Sequence, residues 1–254
     1  MRKAPTLDSP ITSQARFGEK IQILEQKGDW SHIQTPDKYT GWALNPSMAY
    51  RDTPYEPNIK TSRLTAHLYG IQDTEYGPLL TLPYGSSLHV LDASHPRWIQ
   101  VELPDGKTCF IQKGDVDEKS PPQTKADLVE FSQKFLELPY TWGGRTSFGF
   151  DCSGFVQMLY EQIGISLLRD ARLQIQDPRF KFISKSHLEP GDLIFWGKSA
   201  EKVSHVGMYI GNGKFIHAVV TENMPWIRIS SLNSPEWMEG AAARPYRAFL
   251  QLNI

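Results

Sequence analysis

A cysteine placed where a glycine-rich loop gives way to a predicted helix is the strongest chemical signal in the sequence. Cys152 follows the loop at 139–144 and begins a segment in which apolar residues recur at helical spacing up to Gly164. A cysteine in the first turn of a helix lies beside free backbone N–H groups and the positive end of the helix dipole, which favour a thiolate. Two histidines follow, His205 and His217. A cysteine nucleophile with a base and an orienting partner is sufficient for acyl transfer.

The two histidines are expected on one β-hairpin, around the Gly-Asn-Gly run at 211–213. If all three residues form the loop, Gly207 pairs with His217, and His205 lies diagonally opposite His217 on the same face. A two-residue loop would place the two imidazoles on opposite faces. We therefore predict that Cys152 attacks a carbonyl carbon, that His205 takes and returns the proton, and that His217 orients the His205 ring.

The neighbours of the cysteine supply further candidate contacts. The backbone N–H of Cys152 can donate to an oxyanion, aided by the hydroxyl of Tyr140. A carboxylate beside a thiol disfavours the thiolate, so Asp151 is expected to have another task. We assign Asp151 to a substrate ammonium group, with the hydroxyl of Ser153 as a second acceptor. The alternative for Asp151 is a helix N-cap, and the two roles are compatible.

Composition excludes several classes of partner. The chain has 254 residues and a formal net charge of −1, so no basic excess points to nucleic acid or to an anionic membrane surface. It contains no run of about 18 apolar residues that could span a membrane. The basic start lacks an apolar run, which argues against a secretory signal and for the cytoplasm, although a chain trimmed of its signal would look the same. The two cysteines, Cys109 and Cys152, fall in different predicted domains, so no disulfide is expected.

A weak internal repeat organises the first half of the chain. The segment at 30–37 recurs at 98–105, and each copy alternates apolar and polar residues up to a Pro-Asp turn, which predicts a β-hairpin. A further short strand precedes each hairpin. The repeat predicts two small barrels of five or six strands, over residues 1–55 and 56–118.

The second half reads as an α+β domain over residues 119–254. A polar, proline-bearing linker at 119–126 leads into a helix with Thr124 as N-cap and Asp127 at its third position. The Cys152 helix follows, and strand-like segments come after it. Helices before strands indicate a mostly antiparallel sheet.

The motifs of this second half resemble those of the NlpC/P60 family of papain-like cysteine peptidases. They are Y-x-W-G-G at 140–144, F-D-C-S-G-F at 150–155, P-G-D-L-I-F at 190–195, H-V-G-M-Y-I-G at 205–211, and His217.

The first half resembles bacterial SH3-like (SH3b) domains. The first copy has their Gly-Glu, Trp and Gly-Trp signature, whereas Cys109-Phe110 replaces Gly-Trp in the second, where we interpret Cys109 as a core residue. The resemblances imply a multidomain chain: two small all-β SH3-like barrels followed by an α+β papain-like NlpC/P60 domain.

The combined resemblance implies a substrate class. SH3b-bearing members include endopeptidases that cleave between γ-D-glutamate and a diamino acid, L-lysine or meso-diaminopimelate, in peptidoglycan-derived peptides with a free N-terminal L-alanine. In that subgroup the positions matched by Asp151, Ser153 and Tyr39 bind the amino terminus, and Arg169 would contact a substrate carboxylate. The resemblance implies no cofactor. We expect a monomer that recycles released peptides.

Four alternatives stay open at this point. The chain could be a wall-lytic peptidase acting on intact peptidoglycan. It could be a permuted papain-like acyltransferase, although those enzymes lack SH3b modules and would leave Asp151 without an amine to bind. A non-catalytic wall-binding protein would have lost the nucleophile or the base, and both are present. A metal site of Cys152, His205 and His217 would have only three ligands and lacks the usual ligand spacing.

Overall fold

The computed structural model describes residues 1–116, 121–220 and 224–253. The chain divides into two compact units, Met1–Ser120 with Thr146–Phe148, and Pro121–Arg145 with Gly149–Ile254. Residues 119 and 120 of the predicted linker lie outside the described residues, as do the last two residues of the predicted second barrel.

The first unit begins with a three-stranded antiparallel sheet. Its strands are β1 (Gln22–Lys27), β2 (Trp30–Gln34) and β3 (Thr40–Leu44). The hairpin of β2 and β3 confirms the prediction made from the Pro-Asp turn. The five or six predicted strands are not formed among the described residues of this copy, because the N-terminal segment makes only isolated bridges, from Arg2 to Ile11 and Trp42.

The second copy forms a six-stranded sheet in the order β4-β7-β8-β9-β5-β6. The strands are β4 (Ile59–Lys60), β5 (Thr65–Tyr69), β6 (Leu80–Pro83), β7 (Ser87–Asp92), β8 (Trp98–Glu102) and β9 (Thr108–Gln112). The predicted hairpin is β8 paired with β9. Cys109 on β9 is buried among the apolar side chains of this sheet, as predicted.

The second unit has the predicted α+β composition. A six-stranded sheet of antiparallel pairs has the order β12-β17-β13-β14-β15-β16. The elements in chain order are α1 (Asp127–Gln133), β10 (Arg145–Thr146), β11 (Gly149–Phe150), α2 (Cys152–Glu161), α3 (Ala171–Gln174), β12 (Phe180–Ile183), β13 (Leu193–Gly197), β14 (Val203–Gly211), β15 (Lys214–Val219), β16 (Trp226–Ser231) and β17 (Tyr246–Leu252).

Helix α1 begins later than the sequence predicts. The carboxylate of Asp127 accepts hydrogen bonds from the backbone N–H groups of Gln123 and Thr124, at 3.0 and 2.9 Å. The hydroxyl of Thr124 in turn accepts from the N–H of Asp127 at 3.3 Å. These reciprocal bonds form the predicted capping arrangement of Thr124 with Asp127, and the regular helix starts at Asp127 after one irregular turn.

Helix α2 has the predicted start and lies in the core of the second unit. Asp151 is its N-cap, and its side chain accepts from the backbone N–H of Gly154 at 2.8 Å. Every residue from Cys152 to Tyr160 is buried. A Cβ added at Gly154 would clash with the carbonyl oxygen of Gly144, so this close approach of loop and helix requires glycine.

Candidate active site

The cysteine occupies the first position of α2 and is almost fully buried. Cys152 is 8% exposed. Burial raises the pKa of its thiol to about 12, and the negative charge of Asp151 acts in the same direction. Backbone N–H groups of Val206 and Ser153 and the cation of Arg169 oppose the shift. Desolvation of Cys152 therefore acts against the thiolate that the helix position favours.

The hairpin that carries the histidines has the predicted register with a different loop. Only Asn212 and Gly213 form the turn, with φ of 52° and 68°. Gly211 pairs with Lys214, and a bulge then shifts the register so that Tyr209 pairs with Phe215. The loop thus has two residues, and the expectation that such a loop would place the imidazoles on opposite faces is wrong. The bulged residue restores the alternation of faces, and the two histidines share one face.

The two imidazoles form a direct hydrogen bond. Nε2 of His205 lies 2.8 Å from Nδ1 of His217. Gly207 makes this approach possible, because an added Cβ would lie 3.1 Å from the Cβ of His217. With Nε2 of His205 engaged, its Nδ1 is the nitrogen left to exchange a proton with the thiol.

Ser230 extends this arrangement and was not identified from the sequence. Nε2 of His217 lies 2.9 Å from the hydroxyl oxygen of Ser230. His217 pairs with Arg228 across β15 and β16, and Ser230 is its diagonal neighbour on the same face. If the Ser230 oxygen accepts from the Nε2–H of His217, then Nδ1 of His217 accepts from the Nε2–H of His205. This tautomer leaves Nδ1 of His205 unprotonated, as a general base requires.

Aromatic rings enclose both histidines. Trp237 lies 5.0 Å from the ring of His205 and 4.7 Å from that of His217, and Trp196 and Phe215 pack on the same cluster. Burial lowers the pKa of both histidines well below its usual value, and the cations of Arg228 and Arg244 add to the effect. Burial therefore favours the uncharged forms of the thiol and of both imidazoles.

The carboxylate of Asp151 is paired inside the protein. Arg169 donates to its two oxygens at 3.0 and 2.5 Å and to the hydroxyl of Ser153 at 2.9 Å. The N–H of Gly143 donates to the same carboxylate at 3.0 Å. Arg169 is only 2% exposed. This placement differs from the predicted contact of Arg169 with a substrate carboxylate, because its guanidinium instead neutralises Asp151.

The two tyrosines predicted at the site have different positions. Tyr140 lies in the second unit within electrostatic range of Cys152. Burial raises the pKa of its phenol, and the charges of Cys152 and Asp151 act in the same direction, so the hydroxyl stays a donor. Tyr39 lies in the turn before β3, where its backbone oxygen accepts from the N–H of Thr35 at 3.0 Å. It belongs to the first unit, and its part in substrate binding stays a prediction.

Two further features of the described residues concern metals and membranes. Throughout residues 1–116, 121–220 and 224–253, no group of three or more His, Cys, Asp or Glu side chains is arranged to hold a metal ion. No helix in the same part of the chain has the length and apolarity needed to cross a membrane.

The arrangement is suited to acyl transfer. A buried thiol, an imidazole base and an orienting imidazole are in place, and the N–H of Cys152, as the first residue of α2, has no acceptor within the helix. That N–H and the Tyr140 hydroxyl can donate to a developing oxyanion.

Comparisons with known proteins identify the same two families as the sequence motifs. The NlpC/P60 family model matches residues 137–243, and the bacterial SH3 domain model matches residues 1–48. Gamma-D-glutamyl-L-lysine dipeptidyl-peptidase from Bacillus cereus is 33% identical over 93% of this chain and 75% of its own length. The protein of that name from Bacillus subtilis is 30% identical over 84% of this chain and 74% of its length.

A solved structure also matches nearly the whole chain. The crystal structure of an NlpC/P60 family protein from Bacillus cereus has a TM-score of 0.78 and 31% identity, and the match covers 92% of this chain and 81% of that one. Motifs, site geometry and relatives therefore agree. The chain belongs to the NlpC/P60 family of cysteine peptidases, carries an N-terminal all-β SH3b region, and is a hydrolase of peptidoglycan peptides.

Proposed function

We propose that the protein is a cysteine endopeptidase that hydrolyses the bond between γ-D-glutamate and a diamino acid in peptidoglycan-derived peptides with a free N-terminal L-alanine. The observation that carries the chemistry is the 2.8 Å bond between His205 and His217 in the hairpin beside Cys152. The choice of bond is supported by the names of the two Bacillus relatives, which specify γ-D-glutamyl-L-lysine. Either L-lysine or meso-diaminopimelate fits this proposal.

The proposed reaction starts from the neutral pair. Nδ1 of His205 takes the thiol proton as Sγ of Cys152 attacks the γ-carbonyl carbon of D-glutamate. The resulting oxyanion accepts hydrogen bonds from the N–H of Cys152 and the hydroxyl of Tyr140. His205 then protonates the leaving amine of the diamino acid, and a thioester remains on Cys152. Water attacks the thioester while His205 takes its proton, and the thiol is regenerated.

Recognition of the free amino terminus is assigned to Asp151 and Ser153, with Tyr39 as a third contact on the strength of the resemblance. Because Arg169 already neutralises Asp151, the ammonium would meet hydrogen-bond acceptors rather than an uncompensated charge. Losing one charge-assisted hydrogen bond costs about 1.5–3 kcal/mol, so N-acetylation of the alanine should lower kcat/KM about 10- to 100-fold.

The experiment that tests the function is hydrolysis of defined peptides followed by mass spectrometry. The substrates are L-Ala-γ-D-Glu-L-Lys, its meso-diaminopimelate counterpart and their N-acetylated forms, with intact peptidoglycan as a separate substrate. The proposal expects L-Ala-D-Glu and the free diamino acid from the unblocked peptides, and no product with Cys152→Ser. Equal rates on acetylated peptides or preference for intact wall would favour a wall-lytic enzyme.

The same reactions separate the remaining alternatives. With an added amine, dominant formation of a new amide would indicate an acyltransferase. Absence of any turnover with wild-type protein would leave a wall-binding role.

A further inference from the structure

A second cation lies against the catalytic cluster, apart from the Asp151 pair. The guanidinium carbon of Arg244 lies 4.8 Å from the centre of the Trp237 ring. Trp237 in turn contacts both His205 and His217. Burial lowers the pKa of Arg244, while the charges of Cys152 and Tyr140 act in the opposite direction, which puts the guanidinium within electrostatic range of the nucleophile and of the oxyanion donor.

Arg244 differs from the neighbouring arginines in having no anionic partner among the residues that the structure describes. Arg169 is bound to Asp151, Arg228 contacts Glu236 at 3.5 Å, and Arg247 contacts Glu239 at 3.6 Å. Among the described residues, the guanidinium of Arg244 makes neither an ion pair nor a hydrogen bond, and it lies over the ring of Trp237. The side chain is nonetheless half-buried.

An unpaired, half-buried cation at this position is unfavourable on its own. It loses hydration without gaining a partner. It also lowers the pKa of His205, the general base. Both costs are offset when an anion binds beside it. The planar guanidinium of arginine presents its N–H groups in the fork that matches a carboxylate.

We propose that Arg244 binds the free α-carboxylate of the D-glutamate residue in the substrate. This inference rests on the proposed function and deepens it. In a γ-linked glutamate the α-carboxyl group is free, and three carbon atoms separate it from the scissile carbonyl carbon. An extended chain of that length spans roughly 5 Å, which reaches from the nucleophile to a cation in its immediate surroundings. Arg244 thereby makes the contact with a substrate carboxylate that the sequence predicted for Arg169.

The test compares two peptides that differ only at that carboxyl group. These are L-Ala-γ-D-Glu-L-Lys and the same peptide with its α-carboxylate converted to a carboxamide. Wild-type kcat/KM should be about 10- to 100-fold higher for the carboxylate, as expected for one charge-assisted pair. In Arg244→Gln the preference should disappear through a loss on the carboxylate peptide, while cleavage of the carboxamide peptide reports that the variant is folded. Arg244→Lys should keep part of the preference.

Arg228→Gln is the matched control. Arg228 also lowers the pKa of both histidines, but it has Glu236 as a partner, so this variant should retain the wild-type preference. Equal wild-type rates on both peptides, or a preference that survives Arg244→Gln, would overturn the assignment of Arg244 and leave the proposed function unaffected. An equal loss on both peptides in Arg244→Gln would do the same. Failure to cleave either peptide with wild-type protein would overturn the proposed function and this assignment with it.

Discussion

Replacing Arg169 by methionine tests whether the ion pair behind the nucleophile stabilises the second unit. Arg169→Met keeps most of the side-chain volume and removes the cation that pairs with Asp151. Asp151 is the N-cap of α2, so the loss acts directly on the helix that begins with Cys152. Because the two groups lie 18 residues apart in sequence, the pair also joins the segment before α3 to the start of α2.

The magnitude follows from burial and from the contacts that remain. The side chains of Arg169 and Asp151 are 2% and 12% exposed, so water screens the pair little. Removing one partner of a buried pair costs about 3–5 kcal/mol. The N–H groups of Gly143 and Gly154 continue to donate to the carboxylate. We therefore expect the lower end of the range, about 3 kcal/mol of unfolding free energy.

A double-mutant cycle with Asp151→Asn separates the pair from the individual side chains. Each single variant leaves one buried charge unpaired, whereas the double variant leaves none and keeps an amide that can cap α2. The double variant should be more stable than the sum of the single losses predicts, by about 2 kcal/mol or more. The assay is urea unfolding of the full chain, with hydrogen exchange of α2 amides to resolve the second unit. A loss below about 1 kcal/mol in Arg169→Met, or strictly additive losses, would refute the reasoning.

Three further predictions concern the histidines. Ser230→Ala removes the acceptor that fixes the tautomer of His217, so steady-state kinetics should show a kcat about 10-fold lower at similar KM. Ser230→Thr keeps the hydroxyl and should retain the rate. An unchanged kcat in the alanine variant would contradict this prediction. Gly207→Ala should push His217 away from His205 and lower kcat about 100-fold, with an unchanged circular dichroism spectrum. Near-normal turnover would contradict this, because it would show that the hairpin accommodates the methyl group without moving His217. Because burial lowers the pKa of His205, the acidic limb of the kcat/KM–pH profile should lie below pH 6.5. Arg228→Gln removes a cation that also lowers this pKa, so the limb should move to higher pH. A wild-type limb above pH 6.5 would count against a neutral, buried base.

Local sequence patterns were sufficient for the elements that hold the nucleophile and the base. The N-cap at Asp151, the helix of Cys152 and the hairpin after His205 follow from capping, helical spacing and turn chemistry, and the structure confirms all three. The consequence expected from a two-residue loop was wrong because a turn signal does not encode a bulge. The shared face of the histidines survived the error, since the bulge adds the one residue that the shorter loop removes.

The contacts that the sequence did not reveal all depend on tertiary packing. Arg169 lies in the irregular segment between α2 and α3, so no periodicity points to its ion pair with Asp151. Ser230 meets His217 only because β16 pairs with β15 in one particular register, and Arg244 reaches the site from the loop before β17. Burial of Cys152 likewise reverses the pKa shift expected from its helix position, and desolvation cannot be read from neighbouring residues alone.

The electrostatics of the site couple substrate binding to proton transfer. In the free protein His205 is held neutral by burial and by the cations of Arg244 and Arg228, while His217 faces it without charge. A carboxylate bound at Arg244 would compensate one of these cations. The pKa of His205 in the complex should therefore be higher with the carboxylate peptide than with its carboxamide analogue. Both peptides exclude water from the site equally, so the difference between the two His205 pKa values reports the charge of the carboxylate alone. The acidic limbs of the two kcat–pH profiles measure it, and a limb at the same or lower pH with the carboxylate peptide would refute the coupling.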